Sequence, residues 1–474
     1  MLQLTENTST RNGRWTRREW LRIGAAGLGA GLANVSRASE PALRGPGFGK
    51  AKSVVLIFAS GGQSHIDMWD PKPDAPAEVR GVFGTIPTSV PGLFFGEHMP
   101  RLAKLADRMT VVRSMSHEDL DHGSAAYLSL TGHYHTRRSS NPPPQPTDYP
   151  CHSAILKRVR PSSAFVEPAV HVNGPAIIAP NNIAPGQFGG FLGREFDPLT
   201  VGDVTHETAV VPGLAPQLDL PLSRLSRRQS LVETLDGTRR QWERNSEASD
   251  LAGLYDQAQR MLAEPKTRLA FDLSREPVEL RERYGHNRSG QACLLARRLV
   301  EAEVPLITVI WNHHSRGQDM HPDTTEFYGW DTHNDIFDAL ENRLLPRFDQ
   351  SLSALLEDLE NRGLLDETLV LCFGEFGRAP LVALEPRFAG ASPGRKHWAA
   401  CYSVMAAGAG VARGGVLGAS DKLGAYPKSQ SYGPWDLTAT IFAALGIDPA
   451  AHYTDPTGRP YKIAEGTPIH GLYA

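Results

Sequence analysis

The run Ser53-Val54-Val55-Leu56-Ile57-Phe58-Ala59-Ser60-Gly61-Gly62-Gln63-Ser64-His65-Ile66-Asp67 decides how the rest of the chain is read. Its first half is continuously apolar, with no polar alternation. That pattern predicts a strand buried on both faces, as at the centre of a parallel sheet. Gly61-Gly62 then turns the chain sharply. In an open α/β sheet, the loops that follow such strands converge on one crevice. His65 and Asp67 therefore fall where a site would form.

The same pattern recurs along the chain. Thr110–Ser114, Pro305–Trp311, Thr368–Phe373 and Tyr402–Ala407 read as four further strands. Asp121 caps a helix that runs through Leu130 and ends at Thr131-Gly132. Ser289–Ala302 and Asp436–Leu445 have helical spacing. So does the longer stretch Ile336–Arg362, where Leu344, Phe348, Leu352, Leu355, Leu356 and Leu359 line one face before Gly363 closes it. Strands alternating with helices predict an α/β fold: a mainly parallel sheet sandwiched between helices. One domain is expected over about 50–460. It would carry an irregular Gly- and Pro-rich insertion at about 140–210 and a helical segment at about 222–265.

The first residues stand apart. Thr16-Arg17-Arg18-Glu19-Trp20-Leu21 is a twin-arginine pattern, Ile23–Ala33 is apolar and Gly/Ala-rich, and Ser36-Arg37-Ala38 offers small residues for cleavage. Residues 1–38 are expected to direct export by the twin-arginine route, placing the protein in the periplasm or outside the cell. The other reading is a short uncleaved N-terminal anchor. No later segment has the length to span a bilayer. A net charge of −3 with dispersed basic residues argues against a nucleic-acid partner. Cys293 lies in a helical pattern and Cys372 in a strand, so both read as buried thiols, and no CxxC spacing marks zinc. Pairing of Cys151 and Cys401 is left open.

The motifs Gly61-Gly62-Gln63-Ser64-His65-Ile66-Asp67 with Asp70-Pro71-Lys72-Pro73, Tyr284-Gly285 leading into Gly290-Gln291-Ala292-Cys293, Gly329-Trp330-Asp331-Thr332-His333 and Gly374-Glu375-Phe376-Gly377-Arg378 resemble the DUF1501 family. More distantly, the chain resembles the alkaline phosphatase–sulfatase superfamily. His122-Gly123-Ser124 before Leu130-Thr131-Gly132 stands where that superfamily has its nucleophile segment. Asp331 and His333 before the long helix match a metal-binding Asp and His, and His397 matches a later His. This resemblance implies an exported hydrolase of phosphate or sulfate esters with divalent metal. There are departures: His122 stands at the nucleophile position, Glu375-Phe376 replaces an Asp-His turn, and Ser60-Gly61-Gly62 stands where an Asp follows the first strand.

Asp331, His333 and His397 are the leading metal ligands. One carboxylate and two imidazoles suit Zn²⁺ with an open position for water, and equally Mn²⁺ or Fe²⁺. Zinc or manganese is the expectation, as one or two ions. Glu375 either adds a carboxylate to a metal or pairs with Arg378. His65 and Asp67 share one face if their segment is extended, and so read as ligands or as a polar loop cluster. His122 reads as ligand, general base, nucleophile or helix-start residue. Arg378 either holds an anionic ester oxygen with its planar fork or forms a salt bridge. An anionic ester or polysaccharide is the expected partner of a hydrolase. The competing expectation is a non-catalytic scaffold with a decayed site, serving an exported carbohydrate-handling system.

Overall fold

A computed structural model of the chain describes residues 45–160, 167–178, 181–205, 265–317 and 328–473. Residues 1–38, expected to direct export, lie outside the described residues. So does the helical segment at 222–265, apart from Pro265. Among the described residues, no helix is long and apolar enough to cross a membrane.

Eight strands form the main sheet: β1 (Ser53–Phe58), β2 (Met109–Met115), β3 (Ala169–Val172), β4 (Leu199–Val201), β5 (Leu306–Ile310), β6 (Thr368–Phe373), β7 (Tyr402–Ala407) and β8 (Gly415–Leu417). Their order is β8-β2-β7-β6-β1-β5-β3-β4. β1 is central and pairs in parallel with β6 and β5, with Val55 opposite Val370 and Ile307. Every residue of β1 is buried, as its unbroken apolar pattern requires. β7 runs antiparallel to both its neighbours, and the other neighbouring pairs are parallel. The α/β class with a mostly parallel sheet between helices is therefore the architecture of this chain.

The two faces of the sheet carry different helices. Val55 and Ile57 face α3 (Arg288–Glu301) and α4 (Leu345–Asn361). Val54, Leu56 and Phe58 face α1 (His122–Thr131), α2 (His152–Val159) and α5 (Pro434–Ala444). On α4 the stripe Phe348, Leu352, Leu355, Leu356 and Leu359 is fully buried, each side chain contributing about 2 kcal/mol. α3 begins at Asn287, whose side chain accepts the Gly290 amide at 2.9 Å. A side chain at Gly290 would strike the Tyr284 and Gly285 carbonyls, which accounts for that glycine.

Two expectations need correction. The stretch at 140–210 is not wholly irregular, because it supplies β3 and β4 at the sheet edge. The strands are only four and three residues long, and His171 interrupts the apolar pattern of β3. That ring is buried against the Ser153 hydroxyl at 3.0 Å. The long helix is also broken: Ile336–Asp338 passes through a π turn at Ala339–Leu344 before α4. Pro346 in the first turn of α4 has no amide to offer and crowds the carbonyl four residues back, so the ladder widens there. All four cysteines are buried free thiols, Cys151 and Cys401 included.

Candidate metal centre

Four of the expected residues meet at the carboxyl edge of the sheet. His122 opens α1, in the connection after β2, and Glu375 follows β6 directly. Asp331 and His333 lie in the connection between β5 and the α4 region. His397 precedes β7. Because β7 is antiparallel, its beginning lies at the same edge as the ends of its neighbours. The site thus uses the one reversed strand to bring in a ligand from the far end of a loop.

The closest grouping is Asp331, His333 and His397. His333 Nε2 is 3.0 Å from His397 Nε2 and 3.1 Å from Asp331 Oδ1, and His397 Nε2 is 3.3 Å from the same oxygen. Tetrahedral ligands at zinc–nitrogen distances stand roughly 3.3 Å apart. His122, Asp331 and His397 also form a group whose ligand atoms all lie within 4.8 Å of one another. His122 Nε2 approaches the second oxygen, Asp331 Oδ2, at 3.1 Å.

The protonation states suit a cation. Burial, together with the charge on His122, lowers the His397 imidazole to about 4, and burial lowers His333. Both rings are therefore neutral near pH 7. Burial opposes the charge on Asp331, but His122 and Arg378 hold its carboxyl well below the ordinary range. His397 Nδ1–H donates to the Leu120 carbonyl at 2.7 Å, leaving the Nε2 lone pair toward the cluster. His333 is oriented by stacking on Phe388, with ring centroids 3.8 Å apart and planes 5° from parallel.

His122 differs. Burial opposes its charge, yet Asp331 and Glu375 together raise it to about 9. Its Nδ1–H donates to Glu375 Oε1 at 2.6 Å. Glu375 also accepts the Gly61 amide at 2.7 Å, while its Oε2 is buried with no hydrogen-bond partner. Glu375 therefore orients His122 and stands one residue removed from the Asp331 trio. Its expected pairing with Arg378 does not form. Phe376 packs beside His122 and His397, with centroid distances of 5.0 and 4.7 Å, so an aromatic ring fills space next to the two imidazoles.

Arg378 has no open fork. Its side chain is fully buried and donates to the carbonyls of Gly61, Gly62 and Arg395, and to Asp331 Oδ1 at 2.8 Å. It holds Asp331, and an ester oxygen would find most of its donors taken. His65 and Asp67 are also placed elsewhere. Their segment is a series of turns and not extended, so they do not share a face. His65 Nε2 bonds to the Gly424 carbonyl at 2.7 Å, and both Asp67 oxygens bond to Arg395. Gly61 and Gly62 sit at φ +113° and +80°. A side chain at Gly61 would collide with the Asp331 amide and the Ser315 carbonyl, so the first turn supplies close backbone packing where an acidic side chain was expected by resemblance.

Three contributors lay outside the sequence reading: Arg395, the Leu120 carbonyl and Phe388. Arg395 carried a weak signal as a basic residue between Gly394 and His397. A main-chain carbonyl and an aromatic in a surface loop carry none.

The described geometry is that of an α/β protein with a histidine–carboxylate cluster at the strand ends. The family of proteins of unknown function called DUF1501 matches residues 51–473, and the chain belongs to that family. No curated protein sequence matches it. Among solved structures it is similar to the phosphonate monoester hydrolase SpPMH from Silicibacter pomeroyi, at 13% identity and TM-score 0.42, covering 89% of this chain and 76% of that one. It is similar to a protein of the alkaline phosphatase superfamily from Vibrio parahaemolyticus, at 12% identity and TM-score 0.40, covering 94% and 78%. The PsFucS1 sulfatase from Pseudoalteromonas sp. gives 12% identity and TM-score 0.35 over 91% and 72%.

Proposed function

We propose that this chain is an exported, metal-dependent hydrolase of phosphate or sulfate esters. The observation that carries the reading is the meeting of two neutral imidazole nitrogens and one ionised carboxylate oxygen within 3.3 Å of one another. Asp331, His333 and His397 would hold a divalent ion, zinc or manganese by ligand type. Bound there, the ion would supply Lewis acidity toward an ester oxygen or a water. His122 lacks the hydroxyl or thiol of an ordinary ester nucleophile and is placed to move a proton. Its Nδ1 is tied to Glu375, and its Nε2 faces the cluster across Asp331 Oδ2. The test is turnover of simple aryl phosphate, phosphonate and sulfate monoesters by zinc- and manganese-loaded protein. Turnover lost on chelation supports the reading, and its absence from metal-loaded protein refutes it.

A second reading rests on a separate observation. The donors that would grip an anion are used by the protein itself. Arg378 is consumed as described, and the first-turn amides of α1 are taken by Asn141 Oδ1 at 2.7 Å and the Ser140 carbonyl at 2.9 Å. A metal-holding scaffold without ester turnover is the function this favours. Bound metal with no hydrolysis of any ester would select it.

A further inference from the structure

We infer that the Asp67–Arg395 ion pair is the positioning device that sets the three candidate ligands in register, so that its charge pairing tunes metal affinity. The inference rests on the metal-binding reading above.

The pair is unusual in its enclosure. Both side chains are fully buried. Arg395 Nε donates to Asp67 Oδ2 at 2.8 Å and Nη2 to Oδ1 at 3.0 Å, a two-point contact of the kind a planar guanidinium makes best. The remaining donors go to the Ala379 and Pro380 carbonyls, just after Arg378, and to the Val79 carbonyl at 2.9 Å. Ser64 Oγ adds a bond to Asp67 Oδ2 at 2.5 Å. The turn after β1 is thereby fastened to the segment that carries His397.

The main chain of Arg395 reaches the other two ligands. Its amide donates to the Thr332 carbonyl at 3.2 Å, and Thr332 lies between Asp331 and His333. Its carbonyl accepts from Arg378 Nη1 at 3.2 Å, and Arg378 holds Asp331 Oδ1 at 2.8 Å. His397 is two residues further on. One residue thus touches the backbone between two ligands, the side chain that grips one of them, and the chain leading to the third. At Gly394 an added Cβ would fall 2.2 Å from the His333 carbonyl, so the two segments are packed at backbone contact. Only an anchored Arg395 keeps that approach fixed. Groups that orient ligands without touching metal typically change affinity by about 10–100-fold.

The test compares zinc affinity in the full-length chain, the Asp67→Asn variant and the Asp67→Leu/Arg395→Met double variant. Zinc Kd is read by competition with a chromogenic chelator, and metal-free thermal unfolding is read in parallel. Asp67→Asn leaves a buried guanidinium without its counter-charge and is expected to unfold earlier. The double variant leaves no charge behind and is expected to recover thermal stability. Zinc affinity is expected to fall about 10–100-fold in both, and the double variant is expected not to regain it. A cobalt-substituted sample would show an altered visible spectrum in both variants. Wild-type zinc affinity and an unchanged cobalt spectrum in the folded double variant would overturn the inference and leave the pair a stability element. Absence of zinc binding in the wild-type chain would instead remove the metal reading on which it rests.

Discussion

Two buried charge clusters in this molecule differ in kind. Between α3 and α4, the fully buried Arg297 meets Glu276 at 2.7 Å, Glu301 at 2.5 Å and Asp358 at 2.9 Å, and Tyr284 adds a hydroxyl to Asp358. Each charge there finds an opposite one. At the sheet edge, three imidazoles crowd one carboxylate, two of the rings are held neutral, and their Nε2 atoms face each other. The first cluster is complete as protein. The second puts lone pairs together in a way that protein alone does not reward, which is the signature of a ligand site. Burial and charge density are shared, so neither separates structure from function. The balance of donors and acceptors does.

The comparison can be broken most forcefully at Arg297. Arg297→Met leaves Glu276 and Asp358 short of counter-charge and is expected to cost about 3–5 kcal/mol in urea unfolding, with metal content unchanged. His397→Ala should do the reverse. It is expected to weaken metal binding ~100-fold, about 2.7 kcal/mol, while metal-free stability holds or rises as the crowding at 3.0 Å is relieved. Equal losses of stability in the two variants would erase the distinction.

A third mode of burial gives a smaller effect. His152 and His171 are pushed down by burial to about 3, each resting on a hydroxyl, Thr438 for one and Ser153 for the other. Their folded-state values lie below the ordinary histidine value near 6.5, so the unfolded chain binds more protons at acid pH. Their contribution is complete above pH 6.5 and is lost as pH falls from there toward 3. The expected slope is about 1.4 kcal/mol per pH unit for each ring. A His171→Asn variant should lose stability less steeply between pH 6.5 and 5 in denaturant titrations, and an unaltered slope would count against the assignment. Smallest is Lys396→Ala. Its exposed pair with Glu385 at 2.7 Å is expected to matter by less than about 1 kcal/mol, with no change in metal content.

Much of this was legible in the residues. β1, β2, β5, β6 and β7 are apolar runs long enough to read, and Asp121 and Gly132 mark both ends of α1. Asp331, His333 and His397 stood out because polar ligating residues gathered in loops beside apolar strands. The sense of β7 did not, since an apolar run carries no direction. β3, β4 and β8 are too short for periodicity to register. His65 and Asp67 were misread because two-residue spacing implies a shared face only in extended chain, and here the chain turns. Arg378 and Arg395 were misread because arginine is ordinarily exposed. Both instead gather main-chain carbonyls from loops distant in sequence, which no local pattern records.

The central claim is that the second cluster binds metal through Asp331, His333 and His397. The most direct measurement is the metal content of purified protein, by elemental mass spectrometry, beside His397→Ala. The account expects at least one equivalent of zinc or manganese per chain, sharply reduced in the variant. No bound metal in folded wild-type protein supplied with both ions would contradict it.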